Sequence, residues 1–183
     1  MPENDRTNYY IYVQDEIALT NSVSATLGLR YDHYSDVGST VNPRAALVWK
    51  TNEKLTTKFL YGTAFRAPAF VELFAENNPA ALGDPDLEPE NLESLELAFN
   101  YRFSDKTNVE FNVFSYRVTD LISTVPVDGA SFQFTNIGEQ KGVGFEFEFN
   151  SRITDVLTVS GHYAYFENED KLANQDAGDA PNN

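Results

Sequence analysis

The chain has 183 residues, a formal net charge of −15, 42% hydrophobic and 14% aromatic residues, and no cysteine. Such an acid excess argues against a nucleic-acid partner, which needs a basic stripe, and against docking on an anionic membrane surface. Without cysteine there is no disulfide frame, thiolate chemistry or cysteine metal site, and without a run of about 18 apolar residues there is no transmembrane helix.

Residues 1–7 read as a polar, acidic lead-in that is no secretory signal, so an outer-membrane chain would lack its native start. The first hairpin is expected over 8–19 and 22–34, turning at Thr20-Asn21, and the second over 43–51 and 55–65, turning at Thr51 to Lys54. A long connection, 66–90, holds most of the prolines, and loops of that length are uncommon unless functional or disordered. Two more hairpins follow, at 91–103 with 107–122 and at 131–150 with 155–167. Residues 168–183 read as an acidic loop or frayed tail. Tight turns thus alternate with longer connections at 35–42, 66–90 and 123–130.

Strand faces sharpen the reading. Val143, Phe145, Phe147 and Phe149 alternate with Gly144, Glu146, Glu148 and Asn150, and Leu95 to Phe103 alternates with Glu96, Ala98, Asn100 and Arg102. Successive side chains of a strand point to opposite faces, so each strand has one apolar and one wet side. Full charges in mid-strand suit a hydrated lumen, whereas the centre of a packed sandwich would not accept them unpaired. The fold expected is all-β: about eight strands of an antiparallel up-and-down transmembrane β-barrel, with short periplasmic turns and longer extracellular loops. Aromatics near strand ends, such as Tyr31, Trp49 and Tyr101, fit interfacial girdles. Phe132 and Phe134 break the odd parity of Val143 to Phe149, so a β-bulge is expected near Gly138, Gly142 and Gly144.

Tyr61 to Phe103 resembles the barrel of TonB-dependent outer-membrane receptors. The resemblance rests on Phe65-Arg66-Ala67-Pro68, then Gly83-Asp84-Pro85-Asp86-Leu87-Glu88-Pro89-Glu90 and an amphipathic strand. Asp84 stands where the family usually has Asn. Thr119-Asp120-Leu121-Ile122 and Asn136-Ile137-Gly138 follow in the family's order. The resemblance implies a 22-stranded barrel around an N-terminal plug, in the bacterial outer membrane and in contact with the lipid bilayer. It implies a ferric siderophore, haem or cobalamin as ligand, and the TonB complex as partner through parts this chain lacks.

Each motif also has a plain structural reading. Arg66 could face an anionic ligand or simply close a strand end, and Pro68 ends a ladder because it lacks an N–H. Phe70, Phe74 and Phe132 could touch a ligand or pack on one another. The 83–90 segment could offer oxygens to Ca²⁺, but Pro85 and Pro89 favour a rigid turn. Phe65, Ala67, Leu87 and Glu90 read as structural. His33 and His162 are too far apart in sequence order to suggest a metal site, and no nucleophile elbow surrounds any serine, so neither a metal, a cofactor nor an enzyme is expected. Two rival folds share some features: a complete small eight-stranded outer-membrane barrel of adhesin or pore type, and a soluble β-sandwich or lipocalin-like binder.

Overall fold

A computed structural model describes residues 5–76, 81–127 and 131–172. It holds one antiparallel sheet with its strands in chain order. They are β1 (Asn8–Ala18), β2 (Val23–Tyr34), β3 (Gly38–Lys50), β4 (Leu55–Arg66), β5 (Glu90–Ser104), β6 (Thr107–Val127), β7 (Ser131–Arg152) and β8 (Thr158–Leu172). One short helix, α1 (Phe70–Phe74), interrupts the long connection. The sequence periodicity does not reveal it, because one helical turn is too short to show a 3.6-residue period.

Alternation decides the register. Ile17, Ala25, Leu47, Phe59, Leu97, Val113, Phe145 and Tyr165 form one row across all eight strands, apolar throughout. The next even-numbered row from β4 to β8 is Lys58, Ala98, Asn112, Glu146 and Ala164, and beyond it lie Thr56, Asn100, Glu110, Glu148 and His162. A one-residue slip would exchange these faces completely.

Both rival folds fail on topology. The described residues form a single layer, whereas a sandwich needs two facing sheets. β1 and β8 do not pair with each other, so the eight strands do not close into a small barrel.

Strand ends depart from the sequence reading. β3 begins at Gly38 instead of residue 43, so the expected 35–42 connection shrinks to the three residues 35–37. Gly38 has φ 81°, the left-handed conformation that closes a three-residue hairpin. The stretch Gly38-Ser39-Thr40 looks like loop but is held by pairing with β2, which overrides propensity. Likewise β6 runs to Val127 and β7 starts at Ser131, so little remains of the connection expected over 123–130. The strict alternation of tight and long connections is therefore corrected: the stretch between β4 and β5 alone is long. β8 runs to Leu172, into the stretch read as tail. Residues 1–4 of the lead-in and 173–183 of the tail lie outside the described residues.

The expected bulge exists, and it is double. Val118 pairs with Gln140 and Leu121 with Gly138, leaving one extra residue on β6. Ile122 then pairs with Asn136, leaving Ile137 extra on β7. Asp120, on the β6 side, has φ 57°. The parity change at Phe132 and Phe134 follows from Ile137.

Candidate functional site: an inner wall and its loop strap

The even-numbered side chains line a recess of about 520 Å³ drawn from β4 to β8, so this face is concave. Lys58, Glu96, Glu110, Glu146, Glu148 and His162 face into it. Asn100 donates to Glu110 at 2.7 Å, tying neighbouring strands within the polar row. On the opposite face Leu47, Phe59, Leu97, Val113 and Tyr165 stay exposed, as a wall bathed in hydrocarbon requires.

The buried apolar side chains lie elsewhere. Leu73, Ala81 and Leu87 are between 1% and 5% exposed, and all three belong to the stretch between β4 and β5. This strap has its own small core and its own backbone bonds. Gly83 N–H donates to Ala75 C=O at 2.8 Å and Asp84 N–H to Glu72 C=O at 2.8 Å. A Cβ on Gly83 would sit 2.5 Å from the Ala75 nitrogen and 2.7 Å from the Leu73 oxygen, so glycine is required by close approach. Leu82 bridges to β7, donating to Phe132 C=O at 2.7 Å and accepting from Phe134 N–H at 3.0 Å. Among the described residues β8 pairs with β7 as far as Gly138, and the strap pairs with β7 beyond that point, at Gln133.

Arg66 is the strap's first anchor. Its Nε and Nη2 donate to Glu90 at 2.6 and 2.7 Å, and Nη1 and Nη2 donate to Glu72 at 2.9 and 3.1 Å. Bidentate guanidinium–carboxylate pairs are strong and geometrically specific. Glu90 and Glu72 hold the Arg66 guanidinium even more firmly protonated than usual. Burial pushes the Glu90 carboxyl up, but Arg66 and the Ile122 N–H at 2.9 Å outweigh it and hold it below its ordinary value. Glu72 also accepts the Ala69 N–H at 2.6 Å, capping α1 from its third position.

The other sequence-derived residues group around this anchor. Pro68 is fully buried, and its carbonyl accepts from Arg6 Nη2 at 2.7 Å. Phe65 meets Tyr34 edge-on at 5.7 Å. Ala67 is half-buried between them in sequence. Phe70 and Phe74 lie 6.3 Å apart, and Phe70 is 41% exposed with the Arg6 guanidinium over its ring. Leu87 is buried, Pro85 is exposed and Pro89 half-buried. Asp84 accepts the Asp86 N–H at 2.9 Å, closing a local turn. Phe132 is exposed on the β7 end that the strap meets. His33 bonds Ser39 at 2.8 Å, far in the fold from His162.

Two participants show their partners only in the fold. Arg6 pairs with Asp36 at 2.8 Å and reaches Pro68, linking β1's approach to the strap. Asn136 bonds Glu88 at both backbone groups and takes Asp120 C=O as well. Arg6 sits in a stretch without periodicity, and nothing in the sequence marks it. Asn136 lies in a motif, but only register shows what it meets.

A wall with one hydrated and one apolar face, open at both edges and strapped at the long-loop end, is part of an outer-membrane barrel. The family model for the TonB dependent receptor-like β-barrel matches residues 1–183, and the chain belongs to that family. It is 29% identical over 185 residues to the iron-regulated outer membrane virulence protein of Vibrio cholerae, covering 92% of this chain and 28% of that protein. It is 31% identical over 130 residues to the vitamin B12 transporter BtuB of the same species, covering 68% of this chain and 20% of that one. Among solved structures, the siderophore receptor PirA from Pseudomonas aeruginosa superposes with TM-score 0.80 at 23% identity, over 91% of this chain and 33% of PirA. The chain thus spans less than a third of each of these three proteins.

Proposed function

We propose that this chain forms part of the wall of a receptor that takes up a scarce ligand across the bacterial outer membrane. A ferric siderophore is the first candidate, with haem and cobalamin as the other ligand classes, and the TonB complex supplies the energy. The carrying observation is the concave polar wall from β4 to β8, on a sheet whose other face carries an apolar row across all eight strands. The iron-regulated and siderophore-receptor relatives support the iron assignment. In this reading Arg66 is a pin that holds the strap, because both its partners are carboxylates of the same chain. Phe70, exposed on the strap, is the aromatic offered to ligand, and Phe74, half-buried, supports it.

Deleting the gene of the full receptor tests this. Uptake of radiolabelled ferric siderophore by iron-starved cells should fall in the deletion strain and in a strain lacking TonB. Uptake unchanged in both, for siderophore, haemin and cyanocobalamin alike, would reject the proposal.

A further inference from the structure

The cations of the chain divide by position. Among the described residues Arg6, Arg30, Arg66, Arg117, Lys141 and Lys171 form ion pairs with carboxylates, and all six lie towards the strap end of the sheet. Lys50, Lys54, Arg102, Lys106 and Arg152 form none, and all five lie at the short-turn end between β3 and β7. Each of the five is exposed.

They make one rim. Arg102 N–H donates to Lys54 C=O and Arg152 N–H to Lys106 C=O, both at 2.8 Å, which ties each turn to the strand end beside it. Where the side chains bond, the acceptors are neutral: Lys54 Nζ reaches Phe103 C=O at 3.4 Å, and Arg102 Nη2 reaches Glu53 C=O at 3.0 Å. Such bonds orient the cations without matching their charge. Segments 50–54, 102–106 and 152–155 hold these five cations against Glu53, Asp105 and Asp155, whereas residues 66–90 hold Arg66 against six carboxylates. The net charge of −15, which argues against an anionic surface for the chain as a whole, conceals a reversal of sign at this end.

The outer face beside the rim marks a membrane boundary. Trp49 precedes Lys50, and Tyr101 and Phe103 flank Arg102, all three with outward parity. Trp49 and Phe103 are 46% and 56% exposed, and the rings of Tyr101 and Phe103 meet edge-on at 4.5 Å. Such rings sit at headgroup level, and neighbouring lysine and arginine side chains reach past them into the polar layer. Through Thr56, Asn100 and Glu110, Lys50 shares a row with Glu148, which falls short of Arg152 along β7. The rim therefore runs oblique to the rungs, as the boundary of a barrel with tilted strands must.

We propose that this rim binds anionic phospholipid of the periplasmic leaflet. Lys54, Arg102 and Lys106 hold headgroup phosphates, while Trp49, Tyr101 and Phe103 lie against the acyl chains next to them. A soluble acidic partner would match the cations but leave the aromatic rings uncovered, so a lipid is the better fit. The surface rests on the receptor-wall reading, with the short turns towards the periplasm, and not on which ligand is taken up.

The test offers the full-length receptor, purified in detergent, equal amounts of phosphatidylglycerol and phosphatidylethanolamine with the same acyl chains. Native mass spectrometry counts the lipids retained, and heat-modifiable migration in gels reports that each variant is folded. Wild type should prefer phosphatidylglycerol, and about 0.5 M salt should erase the preference, because exposed charges are then screened. Combining Lys54→Gln, Arg102→Gln and Lys106→Gln should lower the preference at least about fivefold, since each cation near an anionic surface adds to the attraction. Lys54→Arg with Lys106→Arg should keep it. Lys171→Gln, at the opposite end, should leave it unchanged. If the triple variant does not fold, Lys106→Gln decides, and it should lower the preference in the same direction. An unchanged preference in the folded rim variants overturns the proposal. So does an equal loss in Lys171→Gln, which makes the preference a diffuse property of the chain. Reaction of a cysteine at Asn52 from outside intact cells also overturns it, by moving the rim to the other leaflet. A receptor that transports its ligand but shows no lipid preference defeats the rim alone. One that keeps the preference but transports none of the siderophore, haemin and cyanocobalamin probes defeats the uptake reading alone.

Discussion

Asn136 holds Glu88 by both backbone groups: its Oδ1 accepts the Glu88 N–H at 2.8 Å and its Nδ2 donates to the Glu88 C=O at 2.9 Å. The same Nδ2 donates to Asp120 C=O at 2.6 Å. One side chain thus stands in for a strand where the ladder between β6 and β7 is broken by its bulges. Replacing it with alanine removes three bonds, and each lost partner costs about 1–3 kcal/mol only where water cannot reach it. Asn136→Ala in the full receptor should raise amide exchange at Glu88 and speed proteolysis near Asp86, while the strand amides of β4 and β5 stay protected. Unchanged exchange at Glu88 would show that the strap is held without this side chain.

Gly83 offers a sharper structural test. Alanine there would meet three backbone atoms of Leu73 and Ala75, none of which can move without unpacking α1. Overpacking of this kind costs typically about 1–3 kcal/mol. Gly83→Ala should therefore loosen the strap, exposing Leu73 and Leu87, whereas Gly62→Ala should be mild because nothing lies within 4 Å of its added Cβ. The check is cleavage by a protease added outside intact cells.

The two faces of β7 should respond oppositely to charge. Phe147 lies in the outer row with Phe99, Phe111 and Tyr163, and Glu146 in the inner one. Arginine on the lipid face near the bilayer midplane costs about 2–4 kcal/mol. Phe147→Arg should lower refolding stability in lipid by roughly that much, and Glu146→Arg by far less. Equal losses at both positions would contradict the assignment of faces.

Acid should release the strap. The Glu90 carboxyl sits at the loop end of β5, and its pKa is lowered in the folded state. A lowered pKa contributes stability that is complete above the ordinary Glu range and is lost as pH falls through the folded value. Proteolysis of the strap should thus be flat above about pH 5 and accelerate below about pH 4, where an unperturbed Glu gains its proton. Glu90→Gln should raise cleavage at neutral pH and flatten that dependence.

Topology can be read by labelling. Asp86 is exposed in the strap and Asn52 lies in the short turn between β3 and β4. Cysteine at Asp86 should react with an impermeant maleimide on intact cells, and cysteine at Asn52 should not. The reverse pattern would invert the barrel.

Much of the wall was legible because alternation leaves little choice. Rows such as Leu97 with Phe145 and Asn112 with Glu146 follow once parity and antiparallel neighbours are assumed. The ends were not, since the Ser39-Thr40 stretch of β3 and the Thr124 to Val127 stretch of β6 become strand only through their partners. The strap was harder still. Arg66 and Glu90 could be marked as motif residues, but their joint capture of Glu72 and Ile122 depends on a helix of one turn and on a bulge in β6.

The matched extra residues at Asp120 and Ile137 behave like two frameshifts that suppress each other. Either insertion alone would turn one strand's tip inside out against its neighbour. Together they leave the upper hairpin in step. Length changes in this part of the chain are therefore heritable only in pairs. A lineage that loses Ile137 must also lose a residue near Asp120, and an alignment that opens a gap in one strand should open a second in the other.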